Sequence, residues 1–190
     1  MRAALFCLFT LALLLSSGCR PAAAPVAVSN RPVSINDRPS TNLPMPPTKP
    51  MGDMSWTDAK DRVQKVSDLK GKAVILDFWA TYCPPCREEI PHLNSIIAKY
   101  GAENIQIIGL NSGGEDDRLE IPKFIANTKI DYPIAFPDND LSTYIFAERD
   151  DIPQTLVLDR NGMVVTKIVG FSPAIQAQLD AAVEQAIKTN

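Results

Sequence analysis

The chain has 190 residues, of which 45% are hydrophobic and 22% are charged, and its formal net charge is −3 at pH 7. These proportions are typical of a soluble globular protein with room for one ordinary domain and appendages. The small negative net charge gives no electrostatic basis for nucleic-acid binding, so this class of partner is excluded.

The first residues have the features of an export signal. Arg2 precedes an apolar run from Ala3 to Leu15, which is shorter than the roughly 20 residues that a membrane-spanning helix needs. The small residues that end in Cys19, "SSGC", resemble the processing box of bacterial lipoproteins, although Ser16 stands where leucine is usual. This resemblance implies a lipoprotein-type signal peptide of residues 1–18 and a lipid on the sulfur of Cys19. Cleavage by an ordinary signal peptidase, which would leave a soluble exported protein, is the alternative.

Residues 19–50 are rich in proline, contain few large apolar side chains and show neither helical nor strand periodicity. We predict a disordered or extended tether for this segment, long enough to hold a domain clear of a membrane surface. The composition becomes that of a packed domain at about Met51, so residues 51–190 are predicted to form the folded domain.

Within that domain, strands alternate with helices. We predict buried strands at Ala73–Ala80 and Asn104–Asn111, and helices at Pro84–Tyr100, ended by Gly101, and at Glu115–Lys129, with Pro122 close to its first turn. A short strand at 132–136 and a short helix at 141–147 follow. The chain then forms a hairpin at 154–169, turning at Asn161-Gly162, and a final helix at 173–188 capped by Ser172. This order predicts an α/β fold of three layers, with a central mixed sheet flanked by helices.

Two cysteines, Cys83 and Cys86, stand at the predicted start of the first helix. A structural zinc site normally needs four ligands, and the folded part offers only these two and His92, so no metal site is predicted. A disulfide over so short a loop constrains the unfolded chain only slightly, which argues against a structural staple. The free N–H groups and the dipole of a helix start stabilise a thiolate, which makes Cys83 the nucleophile of a redox pair. Cys86, one turn further on, would resolve the resulting mixed disulfide.

The surrounding motifs resemble the thioredoxin superfamily, and within it the membrane-tethered TlpA/ResA-like thiol–disulfide oxidoreductases. The similarity covers "SDLKGKAVILDFWATYCPPCREEIPHL", including the run of Cys86, Arg87, Glu89 and Pro91, and the cis-proline loop "DIPQTLVLDRNG". The segment from Glu115 to Asp140 resembles the insertion of this branch. The resemblance implies a thioredoxin fold carrying that insertion, redox activity of the cysteine pair through a reversible disulfide, and no cofactor.

The resemblance also implies roles for two carboxylates. Asp77 matches an aspartate of thioredoxin that is thought to relay a proton to and from the buried cysteine, whereas many tethered members have asparagine there. Its alternative is an acid satisfied by local hydrogen bonds or by Lys72. Glu89 matches an acidic residue near the active site, and we expect it to tune the cysteines and assist proton transfer. Its alternative is a favourable charge in the first turns of a helix.

Substrate contacts are expected from the loop of Ile152 and Pro153, where a cis peptide bond would present an extended backbone edge to which a peptide could pair. Trp79 and Tyr82 are expected to form the apolar surface around Cys83.

The function implied by the resemblance is an exported, membrane-anchored reductase of protein disulfides in the bacterial cell envelope, facing the periplasm. A membrane thiol donor of the DsbD/CcdA type would regenerate the dithiol, and apocytochrome c is one candidate substrate. Arg20 gives no acidic inner-membrane retention signal, which favours the outer membrane. A disulfide oxidase or isomerase with the same chemistry, or a non-catalytic binding lipoprotein on the same scaffold, are the alternatives; a peroxidase is disfavoured because no Thr-x-x-Cys motif precedes Cys83.

Overall fold

The structure is a computed structural model that describes residues 51–189. The predictions for the signal peptide, Cys19 and the tether lie outside the described residues. The elements of regular structure are β1 (Ser55–Asp58), β2 (Val63–Lys65), β3 (Ala73–Trp79), α1 (Pro84–Tyr100), β4 (Ile105–Asn111), α2 (Glu115–Thr128), β5 (Ile134–Pro137), α3 (Asn139–Phe146), β6 (Gln154–Leu158), β7 (Val164–Val169) and α4 (Pro173–Lys188). A lipid bilayer is too thick, and the helices too short or too polar, for any helix within 51–189 to cross it.

The described strands form one sheet of seven, in the order β2-β1-β5-β4-β3-β6-β7. The pairs β3–β4 and β4–β5 are parallel, and the other neighbours are antiparallel. Every residue of β3 is buried because helices or loops cover both faces of the centre of the sheet. The prediction of an α/β fold with a central mixed sheet is therefore confirmed.

Two apolar clusters lie on opposite faces of β3, since successive side chains of a strand alternate in direction. The first cluster joins Ile75 and Trp79 to both cysteines and to residues of α1, α2 and α4. The second joins Val74, Leu76 and Phe78 to α3 and to the segment around β1. The fold consequently has three layers, and the cysteines belong to only one of its two faces.

The observed ends of α1 and α4 follow the predicted capping residues. Cys83 is the N-cap of α1, and Gly101 ends the helix with φ at 79°. Ser172 caps α4, and its hydroxyl oxygen accepts a hydrogen bond from the N–H of Ile175 at 3.3 Å. These local signals depend on residues close in sequence, which is why they could be read from it.

Two features differ from the predictions. Pro122 lies in the interior of α2, so its predicted place near the first turn is wrong; that turn is instead formed by acidic residues, Glu115 to Asp117, whose charge complements the helix dipole. The hairpin of β1 and β2 was not predicted. Its turn is closed by the Asp58 carboxylate, which accepts hydrogen bonds from the N–H groups of Lys60 (2.8 Å) and Arg62 (3.0 Å), and not by an Asn-Gly pair.

Candidate active site

A disulfide joins Cys83 and Cys86 at the N-terminus of α1, with an S–S distance of 2.00 Å and a Cα–Cα distance of 5.4 Å. The Sγ of Cys83 accepts a hydrogen bond from the backbone N–H of Cys86 at 3.2 Å. Pro84 and Pro85 occupy the first turn, where a missing N–H breaks no helical hydrogen bond. When the pair is reduced, the same N–H and the helix dipole would stabilise a thiolate on Cys83.

The loop of Ile152 and Pro153 lies directly beside the disulfide. The peptide bond between these two residues is cis, as predicted. The Sγ of Cys83 lies 3.7 Å from the carbonyl oxygen of Ile152. The loop is held from its other side, since the N–H of Gly170 donates to the carbonyl of Pro153 at 2.8 Å. A backbone edge is thus presented within reach of the more N-terminal sulfur.

The two aromatic residues expected around Cys83 have different environments. Trp79 has no exposed surface and stacks on Phe124, with ring centroids 4.9 Å apart. It therefore packs beneath the site and, in this structure, offers no side-chain surface for a substrate. Tyr82 is 65% exposed and stands at the rim. It contributes to a shallow groove of about 350 Å³, whose lining residues are Tyr82, Ser112, Phe146, Asp150, Asp151 and Ile152.

Asp77 lies on β3 with only 1% of its surface exposed. Its Oδ2 accepts a hydrogen bond from the Tyr132 hydroxyl at 3.1 Å, so the partner is this tyrosine and the alternative of Lys72 is wrong. Burial disfavours the charged form and raises the pKa of Asp77 to about 7, against a smaller lowering effect of the Tyr132 hydrogen bond. The carboxyl can consequently gain or lose a proton near neutral pH.

Glu89, on α1, points into the same interior and is 1% exposed. Its Oε1 accepts a hydrogen bond from the Thr155 hydroxyl at 2.6 Å, and Thr155 is the register neighbour of Asp77 on β6. Burial, followed by the negative charge of Asp77, raises the pKa of Glu89 well above its usual value. The alternative of a favourable charge in the first turns of the helix is therefore wrong, because burial disfavours the charged form of Glu89.

The loop before Cys83 is anchored by a residue that sequence reasoning missed. Asp117, in the first turn of α2, is buried and accepts hydrogen bonds from the N–H of Thr81 (3.1 and 3.2 Å to its two oxygens), from the hydroxyl of Thr81 and from the Asn111 side chain (2.6 Å). Arg87 donates to the carbonyl of Thr81 at 2.8 Å. Both polar ends of Thr81 are thus held in place, two residues before Cys83.

Asp117 was missed because an acidic residue in the first turn of a helix is ordinary. Tyr132 was missed because it reads as the start of a strand, and its partner Asp77 is 55 residues away in sequence. The one available signal was a glycine, Gly109, inside an otherwise apolar strand, which often marks a close approach of another group. His92, the third possible ligand considered for a metal site, lies on α1 with its Nε2 3.0 Å from a carboxylate oxygen of Asp180.

Comparisons with known proteins agree with this architecture. Residues 47–167 match the family model described as the AhpC/TSA family. The thiol-disulfide oxidoreductase ResA of a Bacillus cereus strain is 31% identical over 116 residues, which cover 60% of this chain and 64% of the relative. The chain thus spans less than two thirds of the length of that relative.

Solved structures superpose on this chain over nearly the whole length of the solved chains. A candidate thiol:disulfide interchange protein DsbE from Chlorobium tepidum superposes with a TM-score of 0.61 at 30% identity, covering 74% of this chain and 99% of that one. A thiol:disulfide interchange protein of the thioredoxin family, from Chlorobium tepidum TLS, superposes with a TM-score of 0.58 at 26% identity, covering 74% and 98%. The described domain therefore has a thioredoxin-like fold.

Proposed function

Since this chain belongs to the AhpC/TSA family, we propose that it is a thiol–disulfide oxidoreductase that reduces disulfide bonds of other proteins through Cys83 and Cys86. The observation that carries the proposal is the disulfide at the start of α1, with the Sγ of Cys83 3.7 Å from the carbonyl oxygen of Ile152 in the cis-proline loop. Relatives and solved neighbours named as thiol–disulfide oxidoreductases or interchange proteins support it.

The proposed reaction begins with the reduced protein. The Cys83 thiolate attacks one sulfur of a substrate disulfide, forms a mixed disulfide and releases the first substrate thiolate. Cys86 then loses its proton, and its thiolate attacks the Sγ of Cys83. This step breaks the mixed disulfide, releases the second substrate thiolate and forms the Cys83–Cys86 disulfide. Two electrons pass to the substrate, so a thiol donor must reduce the protein again before the next cycle.

Asp77 is the proposed acceptor of the Cys86 proton. Cys86 is 1% exposed and therefore has little access to water as a base. A carboxyl with a pKa of about 7 is matched to proton transfer near neutral pH. Glu89, whose pKa is raised well above its usual value by burial and by the charge of Asp77, is proposed to remain protonated and to limit the charge that accumulates in this interior.

The substrate is proposed to bind along the backbone of Ile152 and Pro153. An extended peptide next to that edge would bring its own sulfur to Cys83, whose Sγ is 3.7 Å from the Ile152 carbonyl oxygen. The exposed ring of Tyr82 and the groove beside it would receive the neighbouring side chains of the substrate. Trp79 would support this surface from within.

The cellular setting is proposed from the sequence. A signal peptide of residues 1–18 would direct export and then be removed. A lipid on Cys19 and a tether of residues 19–50 would hold the domain of residues 51–190 at a membrane of the bacterial cell envelope, outside the cytoplasm, with the outer membrane favoured. A membrane thiol carrier of the DsbD/CcdA type would supply electrons there. Apocytochrome c, whose thiols must stay reduced for haem attachment, is the proposed specific substrate. Replacement of Cys19 by serine should abolish incorporation of labelled fatty acid and release the protein from membranes.

The deciding experiment is the reduction potential, measured by equilibrating the protein with defined thiol–disulfide buffers. A value near or below the roughly −270 mV of thioredoxin would support a reductase, whereas one near the roughly −120 mV of a strong oxidant would assign the reverse direction of electron flow. The Cys83→Ser variant is the control, since it cannot form the pair. A protein that neither equilibrates with these buffers nor reduces a model protein disulfide would contradict the catalytic function itself.

A further inference from the structure

Tyr132 lies between α2 and β5, and its side chain is buried, with 6% of the residue exposed. Its hydroxyl donates to Oδ2 of Asp77 at 3.1 Å. The other carboxylate oxygen of Asp77, Oδ1, has no hydrogen-bond partner among the described residues. The phenol is therefore the group through which the protein contacts the charge of Asp77 directly.

The path of Tyr132 to Asp77 depends on Gly109. This glycine is the register neighbour of Asp77 on β4. A Cβ at position 109 would lie 2.9 Å from Cε2 of Tyr132, which is closer than real contacts allow, and 3.0 Å from Nε1 of Trp79, which is tighter than most real contacts. The N–H of Gly109 also donates to the carbonyl of Pro133 at 2.8 Å, which fixes the segment that carries the ring. The strand thus leaves room for the phenol and holds its backbone in position.

The other elements around Asp77 provide few polar groups. Glu89 comes from α1 and is close enough for the charge of Asp77 to raise its pKa, and the Thr155 hydroxyl from β6 already donates to Glu89. Among the described residues α4 contributes no buried polar or charged side chain, and the one from α2, Asp117, is bonded to Thr81 and Asn111. No lysine, arginine or histidine is among the buried residues of 51–189. Tyr132 is consequently the donor available to favour the ionised form of Asp77.

We propose that Tyr132 is a positioning residue for the redox reaction: its hydroxyl holds the Asp77 carboxylate ionised and oriented, so that this carboxylate can accept the proton of Cys86. The inference rests on the proposed function, and specifically on Asp77 as the proton acceptor. A hydrogen bond to a carboxylate stabilises the charged form over the neutral acid. Burial alone would otherwise keep Asp77 protonated at neutral pH, when it could accept nothing. Burial and the nearby carboxyls raise the pKa of Tyr132 itself, so the phenol stays protonated and remains a donor.

The test compares Tyr132→Phe with the unaltered protein and with Tyr144→Phe. Tyr144 packs against the cluster on the opposite face of the sheet, so its variant controls for the loss of any partly buried hydroxyl. Two quantities are measured across pH: the titration of Asp77 in the oxidised protein, by carbon-13 NMR of labelled aspartate, and the rate at which the reduced protein reduces a model protein disulfide.

In Tyr132→Phe we expect the Asp77 titration to move to higher pH by about one unit. The rate at pH 7 should then fall about fivefold, because the ionised fraction of the carboxyl falls by that factor, and it should approach the rate of the unaltered protein at about pH 9. Tyr144→Phe should change neither curve. A lost hydroxyl that merely loosened the fold would lower the rate at every pH, without moving the titration.

Gly109→Ala provides a second route to the same result if Tyr132→Phe does not fold. The added methyl group displaces the ring, so the titration should again move upward while the hydroxyl is still present. An Asp77 titration that stays in place in whichever of these variants folds overturns the inference.

Asp77→Asn separates this inference from the proposed function. If Asp77→Asn leaves the pH profile of the rate unchanged, the proton route through Asp77 is wrong, and the role of Tyr132 falls with it. If Asp77→Asn removes the pH dependence near neutrality while Tyr132→Phe leaves both curves unmoved, only the role of Tyr132 is wrong. An unaltered protein that reduces no disulfide contradicts the function as a whole.

Discussion

Replacement of Asp77 by asparagine should stabilise the oxidised protein, and increasingly so as the pH rises. The pKa of Asp77 is raised from 3.8 to about 7 by burial. The folded protein therefore binds this proton more tightly than the unfolded chain does. Between about pH 4 and about pH 7 the folded state holds more protons, so the free energy of unfolding falls as the pH rises through this window and then levels off. Asparagine cannot ionise and avoids this loss.

The size of the effect follows from the displacement of the pKa. A difference of about three pKa units, at 1.36 kcal/mol per unit, gives about 4 kcal/mol at full ionisation. Asparagine can still accept the hydrogen bond of Tyr132, so the two proteins should differ little near pH 4, where the aspartic acid is neutral. The difference should grow to about 4 kcal/mol by about pH 8. Removal of the Asp77 charge should also lower the pKa of Glu89, since that charge is one of the causes that raise it.

The assay is guanidinium unfolding of the oxidised protein at several pH values, with the free energy compared at each. Asp151→Asn is the matched control, because Asp151 is exposed and the neighbouring Arg149 guanidinium holds its pKa below the usual value. Its removal should produce a small trend of the opposite sign. A stability difference for Asp77→Asn that is constant from about pH 4 to about pH 8 would refute the conclusion that burial sets the protonation of this carboxyl.

Cys86→Ser should convert the protein into a trap that accumulates a mixed disulfide with its substrate, visible as a higher-mass band that a reducing agent removes. Asp117→Ala should lower the free energy of unfolding by about 2–4 kcal/mol, measured by denaturation, because the N–H and hydroxyl of Thr81 lose their acceptor. Thr155→Val should raise the pKa of Glu89 further, as followed by NMR titration, because the hydroxyl that favours the charged form is lost.

Each of these changes has a control in the same chain. Cys83→Ser removes the nucleophile, and a mixed disulfide that still forms in that variant would assign the attack to another sulfur. Asp116→Ala removes an exposed carboxylate one residue away from Asp117, and equal destabilisation by both would contradict the anchoring role. Thr143→Val, on α3, controls for the loss of an exposed hydroxyl. An unchanged Glu89 titration in Thr155→Val would contradict the contribution of the hydrogen bond from Thr155 to Glu89.

The features that could be predicted from the sequence were local. The start of α1 at Cys83 and its end at Gly101 follow from capping residues within a few positions of each boundary. The order of strands and helices likewise predicted parallel pairing at the centre of the sheet. The cis bond before Pro153 was expected because the loop resembles that of a known superfamily, which supplies information that periodicity does not.

The features that could not be predicted join residues far apart in the chain. Asp117 reaches Thr81 across 36 positions, and Thr155 reaches Glu89 across 66. Each partner alone has an ordinary local explanation, such as a helix-start acid or a strand threonine. Only the folded sheet brings them together, so hydrogen bonding of the buried polar groups became visible only in the structure. The turn of β1 and β2 was missed for a different reason, because the side chain of Asp58 closes it.

The two faces of the sheet differ in their chemistry. The disulfide and both buried carboxyls lie with α1, whereas the cluster beneath α3 is built from apolar side chains such as Leu141 and Ile145. A protein engineer could therefore change residues of the α3 face without altering the redox site, apart from Phe146, which lines the groove proposed for substrate side chains. Volume-conserving changes or a fluorescent label placed there would report on unfolding while leaving electron transfer as it was. Over evolutionary time the same separation would let residues of the α3 face be replaced, whereas the redox reaction would constrain residues of the face that carries the disulfide.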